Sequence, residues 1–150
     1  MPRTARPKPR VRAAALVLRD QQVLLAQHRK GTRVYYLLPG GGIEDREFAR
    51  EALARELREE AGVECDIGDL RYVVEAHAPN GARHVLQLVF EARIRGEPGR
   101  SSDPRVAACA WHRIEDLRTL RVHPDVGDVI ADDIERDTRV LRYLVAPWRP

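Results

Sequence analysis

Apolar and polar positions first organise into two strand-like stretches, residues 11–18 (VRAAALVL) and 22–28 (QVLLAQH), with Asp20-Gln21 in the turn between them. A short run at 35–38 predicts a third strand that enters a loop, Pro39-Gly40-Gly41-Gly42. The period then changes. From Glu47 to about Ala61 the chain holds alanine, leucine, glutamate and arginine without proline or glycine, which predicts a helix, and Gly62 supplies its stop. Residues 70–78 and 83–94 return to a strand pattern, joined by the turn signal Pro79-Asn80-Gly81. Leu86, Leu88, Phe90, Ala92 and Ile94 alternate, so one face of the later strand is buried. A polar loop, 95–104, leads to a strand over 105–114 through Trp111. Residues 124–136 predict a second helix begun by Pro124 and carrying Val126, Val129, Ile130 and Ile134, and the tail 138–150 adds a further strand. This order predicts an α/β fold, a mixed sheet with helices on its faces.

The first helix has an unusual face. Ala49, Ala52, Leu53 and Leu57 share its apolar side, and Glu56 and Glu60 project on that same side, with Glu59 at the margin. Glu47, Arg50, Glu51, Ala54 and Arg58 project away. The three inward acids stand at i, i+3 and i+4, where like charges repel, and in the last turns, where the helix dipole disfavours anions. A bound hard cation relieves all of this at once, and Mg2+ suits clustered carboxylate oxygens shared with phosphates. The competing reading is a solvated salt-bridged face, but these acids fall on the wrong side for it.

Length and composition narrow the class. A chain of 150 residues is one domain's worth, and 43% hydrophobic with 33% charged residues is an ordinary globular balance. No apolar run reaches membrane-spanning length, and the basic N-terminus has no apolar segment after it, so neither a membrane nor a secretory route is indicated. Cys65 and Cys109 lack metal-ligand spacing and read as reduced, buried thiols of a cytoplasmic protein. The net charge of +3 is concentrated in residues 1–12, which carry Arg3, Arg6, Lys8, Arg10 and Arg12 and no acid. We read residues 1–10 as a disordered basic leader and 11–150 as a single domain; the alternative, a tail that touches nucleic acid, finds no aromatic or structured basic face to support it.

Residues 41–63, GGIEDREFAREALARELREEAGV, resemble the signature of the MutT-like Nudix hydrolases, G-x5-E-x7-R-E-U-x-E-E-x-G-U with U aliphatic, and match every fixed position. LLPGGG before this box and AWHRIEDL after it, resembling a W-x-x-U-x-x-L element, extend the likeness over roughly residues 11–120. The resemblance implies a Nudix-type α/β/α sandwich and divalent-metal-dependent hydrolysis of a nucleoside diphosphate linked to another moiety. It implies metal binding by Glu56, Glu59 and Glu60 with the backbone carbonyl of Gly40, and Mg2+ as the ion, with Mn2+ as a substitute. Glu56 is the candidate base, Glu59 a further catalytic acid, and Arg55 the residue that orients the glutamates. Glu47 is supportive in this reading or only suits the helix dipole.

The substrate side is less determined. Gly41 and Gly42 let backbone approach phosphate closely. Arg29 and Arg46, with His28 and Arg33, are candidates to meet phosphate, against a solvated reading. Arg46 also stands where many relatives carry glycine; a positive φ there would strain it. Asp103 is the candidate for an acid supplied by the loop before Trp111. Tyr35 and Tyr36 can stack a base, though core packing competes, and His77, His84, His112 and His123 show no ligand spacing. Pro79 lies sixteen residues beyond Val63, as in ADP-ribose-cleaving relatives, which gives a lean to ADP-ribose over nucleoside triphosphates. The tyrosine of dinucleoside-polyphosphate relatives and the coenzyme A signature are absent. The alternatives are a non-catalytic nucleotide sensor and an RNA 5′-end pyrophosphohydrolase. The expected partner is a small nucleotide, not nucleic acid, with the chain a monomer or homodimer.

Overall fold

The computed structural model describes residues 8–149; the expected leader lies mostly outside them, since Lys8 and Pro9 are exposed coil and Arg10 already opens a strand. That strand, β1 (Arg10–Arg19), is the centre of the architecture. It turns through Asp20-Gln21 into β2 (Gln22–Lys30), and the two pair only beside the turn, at Leu18↔Val23 and Arg19↔Gln22. Beyond that point they splay. β2 takes β3 (Arg33–Leu37) on one side and β7 (Val106–Arg113) on the other, both antiparallel. β1 takes β6 (His84–Arg95) in parallel and, antiparallel, a three-residue strand β4 (Gly40–Gly42). β5 (Glu64–His77) and β8 (Arg142–Val145) complete the order β3-β2-β1-β6-β5-β8.

The period of two along β1 explains the layers. Ala13, Ala15 and Val17 line one core with Ala52, Leu53, Leu57 and Ala61 of α1 (Ala49–Ala61) and with Phe90, Ala92 and Ile94. Ala14 and Leu16 line the other, with Tyr72, Val74 and Val89 of the sheet and Ile130 and Ala131 of α2 (Gly127–Glu135). The molecule is therefore an α/β/α sandwich on a mixed sheet, as the sequence leads one to expect. A single helical turn, 114–118, follows β7 and inserts Ile114 and Leu117 into the α2-side core, while Trp111 packs against the α1-side core. The W-x-x-U-x-x-L element thus pins both layers.

Several boundaries differ from the sequence reading. α1 begins at Ala49; Glu51 accepts the amide of Phe48 at 3.2 Å and closes the start, so Glu47 sits in the preceding loop. Gly62 ends the helix in the left-handed conformation, φ 65°, donating to the Arg58 carbonyl at 3.0 Å. β5 starts six residues earlier than expected, because the polar stretch from Glu64 still pairs with the end of β6 across an irregular register near Leu70. Residues 40–42, expected as loop, form β4. α2 begins three residues after Pro124. Cys109 is buried, but Cys65 is only partly so.

Arg46 has φ 63°, in the turn closed by the Glu47 amide and the Glu44 carbonyl. A side chain at that position crowds its own backbone. Replacing Arg46 with glycine relieves about 1–2 kcal/mol of left-handed strain, partly offset by about 0.5–1 kcal/mol of extra chain entropy. Arg46→Gly is therefore expected to raise the metal-free melting temperature by up to roughly 6 °C; a lower Tm would show that strain in the turn does not outweigh the added chain entropy.

Candidate active site

The Gly40–Gly42 strand and the inner side of α1 come together because neither has room for anything larger. A Cβ on Gly40 would lie 2.1 Å from the Ala13 carbonyl oxygen, and one on Gly41 would lie 2.3 Å from the Glu56 carboxyl carbon. Glycine at position 40 lets the strand lie against β1, and glycine at position 41 lets the helix press Glu56 against the strand. Glu56 is 6% exposed and Glu60 2%. The Gly40 amide donates to Glu60 Oε2 at 3.2 Å. That single bond does not offset the loss of water. Burial, with the Glu56 charge adding to it, pushes the Glu60 carboxyl up to about 8 even though the Gly40 amide pulls the other way.

Arg55 organises the outer side of the cluster. Its Nε and Nη2 grip Glu47 at 2.8 and 3.0 Å, Nη2 also reaches the Gly42 carbonyl at 3.1 Å, and Nη1 lies 3.0 Å from Glu56 Oε1. The same Nη1 holds Glu59 at 3.4 Å. Glu47 is therefore drawn in and kept ionised, its pKa lowered to about 2 chiefly by the Arg55 hydrogen bonds, rather than projecting away as a helical position would have it. Glu59 remains partly exposed. Among the described residues no three acids, histidines or cysteines converge as a ready metal cage. Glu56 and Glu60 face the glycine strand together, and Glu59 is held to one side by Arg55.

The loop after β6 finishes the site by capping α1. Ser102 donates its amide to the Glu59 carbonyl at 2.7 Å, and the Gly99 amide does the same for Ala61 at 2.7 Å, satisfying carbonyls the helix end leaves open. The cap fixes Asp103 and Arg105 close enough to Glu60 for their charges to act on it and on Glu56. Asp103 pairs with Arg105 at 2.7 Å.

The remaining candidates divide. His28 turns toward this cluster, feels the charges of Arg12, Asp103 and Arg105, and keeps its buried Nε2 without a partner. Its ring stacks on Tyr35, centroids 5.5 Å apart, and Tyr35 meets His123 edge-on at 5.3 Å. Arg29, one residue along the strand, is exposed on the opposite side, and Arg46 is exposed in its turn. Gly41 and Gly42 lie at the centre, with the Arg10 guanidinium 3.6 Å from where a Gly42 Cβ would stand. The sequence reading missed Arg10, Arg12, Gln87 and Arg105 as part of this site. Arg12 donates to Gln87 Oε1 at 2.5 Å and to the Gly40 carbonyl at 3.2 Å. The available signal was its place in β1: it shares the inward alternation of Ala14 and Leu16, where a basic residue has no ordinary reason to be.

Comparison with known proteins bears on the family and the fold. The family model for the NUDIX domain matches residues 8–132. The chain belongs to the Nudix family. It is 33% identical over 117 residues to the human 8-oxo-dGDP phosphatase NUDT18, covering 75% of this chain and 35% of that protein. It is 41% identical over 77 residues to the CTP pyrophosphohydrolase of Escherichia coli, covering 50% of this chain and 55% of the relative. The chain thus spans about a third of the first and about half of the second. The crystal structure of a MutT Nudix hydrolase from Burkholderia pseudomallei superposes with a TM-score of 0.72 at 28% identity, covering 85% of this chain and 99% of that one. No helix among the described residues is long and apolar enough to cross a membrane.

The Glu60 shift has a measurable sign. The folded carboxyl keeps its proton up to about pH 8, whereas the unfolded chain releases it near 4.5. Stability of the metal-free protein therefore falls as pH rises between those values. Glu60→Gln is expected to gain stability relative to the parent across that window and to leave it little changed below pH 4. Melts in EDTA at pH 4 to 8.5 with parallel curves for the two proteins would refute the burial of an uncompensated acid.

Proposed function

We propose that this Nudix domain hydrolyses the pyrophosphate of a small nucleotide in a reaction that requires Mg2+, with Mn2+ as a substitute. The observation that carries the reading is the Glu56–Glu60 pair, buried against a glycine strand, with Arg55 paired to Glu56 and no ion pair to Glu60 among the described residues. Its donors are all carboxylate and carbonyl oxygen, the set a hard divalent ion prefers, and the uncompensated charge is of the right sign. Glu56, Glu60 and the Gly40 carbonyl, joined by Glu59 if it turns from Arg55, would hold the ion. When bound, the ion supplies charge neutralisation for the pyrophosphate and acidifies the attacking water.

The chain's own groups do the rest. Glu56 is the base in this reading: it accepts a proton from water as the water oxygen bonds one phosphorus and the bridging P–O bond on the far side breaks. The bridging oxygen leaves on the second product, so each half keeps one of the two phosphorus atoms. Arg55 positions Glu47, Glu56 and Glu59 and does not itself face the substrate. Arg10, Arg12 and Arg105 give the mouth a positive field that suits a polyanion. His28 and Tyr35 offer a polar nitrogen and a flat ring beside it.

For the substrate, the relatives named above are a phosphatase of 8-oxo-dGDP and a pyrophosphohydrolase of CTP. Pro79, which favoured ADP-ribose, is exposed in the turn between β5 and β6, where proline serves the turn itself. We therefore place nucleoside di- and triphosphates ahead of ADP-ribose.

A panel of CTP, dGTP, 8-oxo-dGDP and ADP-ribose, assayed with Mg2+, with Mn2+ and in EDTA, tests the reading. Turnover is expected with either ion and is lost in EDTA, and one of the phosphates should exceed ADP-ribose at least tenfold in kcat/KM. Turnover in EDTA would remove the metal requirement, an ADP-ribose preference would restore the diphosphate-sugar class, and tight nucleotide binding without turnover would make the domain a sensor.

A further inference from the structure

Arg12 is held in an unusual way. A half-buried guanidinium normally sits against a carboxylate, because a charge taken from water needs an opposite one. Arg12 has two acids within reach of its field, Glu60 and Glu56, yet among the described residues it makes no ion pair within 4.0 Å with either. Its tethers are neutral: the Gln87 amide oxygen at 2.5 Å and the Gly40 carbonyl at 3.2 Å. Gln87 is 1% exposed and directly across from Arg12 in the β1–β6 register, so this tether is built into the sheet. Gly42 flanks Arg12 from the other strand. The charge is thus parked beside the acid pair by groups that do not neutralise it.

One of those tethers is the oxygen assigned above to the metal. A carbonyl has two lone pairs and can serve two partners. A guanidinium on that oxygen, within the field of both carboxylates, and a divalent ion bound to the same oxygen and to the carboxylates nonetheless repel each other. We propose that Arg12 is the resident counter-cation of the Glu56–Glu60 pair, opposing the divalent ion in the free protein and turning to a phosphate oxygen of the substrate once the ion is in place. The proposal rests on the metal-dependent reading of the site and adds a role for a residue outside the Nudix box. Ion and substrate then help each other in: the ion displaces the arginine's charge from the acids, and the phosphate gives that charge a partner. Without substrate, Arg12 holds metal affinity down.

The physical signature is specific. Removing a nearby positive charge favours any cation at the acid pair, but favours a divalent ion twice as strongly as a proton, so metal binding gains even against protonation. Mn2+ titration without nucleotide, followed by the free-ion electron spin resonance signal, reads this directly. Arg12→Met and Arg12→Gln are expected to bind Mn2+ at least about threefold tighter than the parent. Arg12→Lys, which keeps the charge, should stay within about twofold of the parent. On the best nucleotide of the panel, Arg12→Gln should raise KM about tenfold with a smaller change in kcat, as the loss of a charged phosphate contact demands.

Circular dichroism and a thermal melt identify which neutral variant is folded, and the folded one carries the comparison. Unchanged or weaker Mn2+ binding in a folded neutral variant overturns the proposal and leaves Arg12 as a brace for Gly40 and Gln87. An unchanged KM overturns the substrate half. If the parent itself binds no Mn2+, the metal-dependent reading fails and this inference fails with it; if the parent binds Mn2+ and only the variants disagree, this inference fails alone.

Discussion

Two carboxylates turned from bulk water into the core side of a helix set the terms for everything around them. Full burial of a leucine contributes about 1.5–3 kcal/mol, and Leu53 and Leu57 on the same helix face are completely buried. Shifting the Glu60 carboxyl from near 4.5 to about 8 costs a few kcal/mol, at about 1.4 kcal/mol per unit. The apolar side of α1 is thus of the same order as the penalty of the acids it carries, and the helix is docked with Glu56 and Glu60 inward. The strain is retained and concentrated where Gly40 and Gly41 leave the least space. A side chain at Gly41 would displace the Glu56 carboxyl, and one at Gly40 would lift the glycine strand from β1.

Position in the fold decides which groups answer that strain. β1 and β2 separate after a short pairing, and the gap admits the glycine strand on the β1 side. On β2 and β3, His28 lies within the field of Arg12, Asp103 and Arg105, with Tyr35 stacked on its ring. The loop that caps α1 then delivers Asp103 and Arg105 from far along the chain. The glycine strand links them: Arg12 holds its Gly40 carbonyl, Glu60 takes its Gly40 amide, and the loop caps the carbonyls at the helix end.

Much of this is legible in the sequence, and the limits are instructive. The inward acids could be read from helical periodicity alone, because Glu56 and Glu60 share a phase with Leu53 and Leu57. The strand pattern likewise placed β1, β2 and β6 to within one or two residues at each end, while β3 was expected at 35–38 and runs from Arg33 to Leu37. The early part of β5 was hidden by Asp66, Gly68 and Asp69, which read as loop; pairing with a neighbouring strand overrode local preference. Glu47 was misplaced by phase arithmetic that holds only inside a helix, and it lies one residue before the N-terminal cap. Arg12 was placed in the first strand but counted only as part of the basic run of residues 1–12, whereas its partners, Gln87 and Gly40, are brought to it by parallel pairing and a chain reversal. Long-range register of that kind leaves no local mark. His28 was noticed, but its stack with Tyr35 and the approach of His123 depend on how β3 folds back.

β1 gives neighbouring side chains to opposite cores: Ala13, Ala15 and Val17 to the α1 side, and Ala14 and Leu16 to the α2 side. Neither helical layer can lift away without stripping alternate residues from the same strand. Partial opening, in which one helix detaches and the other half persists, would thus expose the wall of the layer that remains. The domain is built to melt as a single cooperative unit, and amides of β1 should exchange with solvent only through global unfolding.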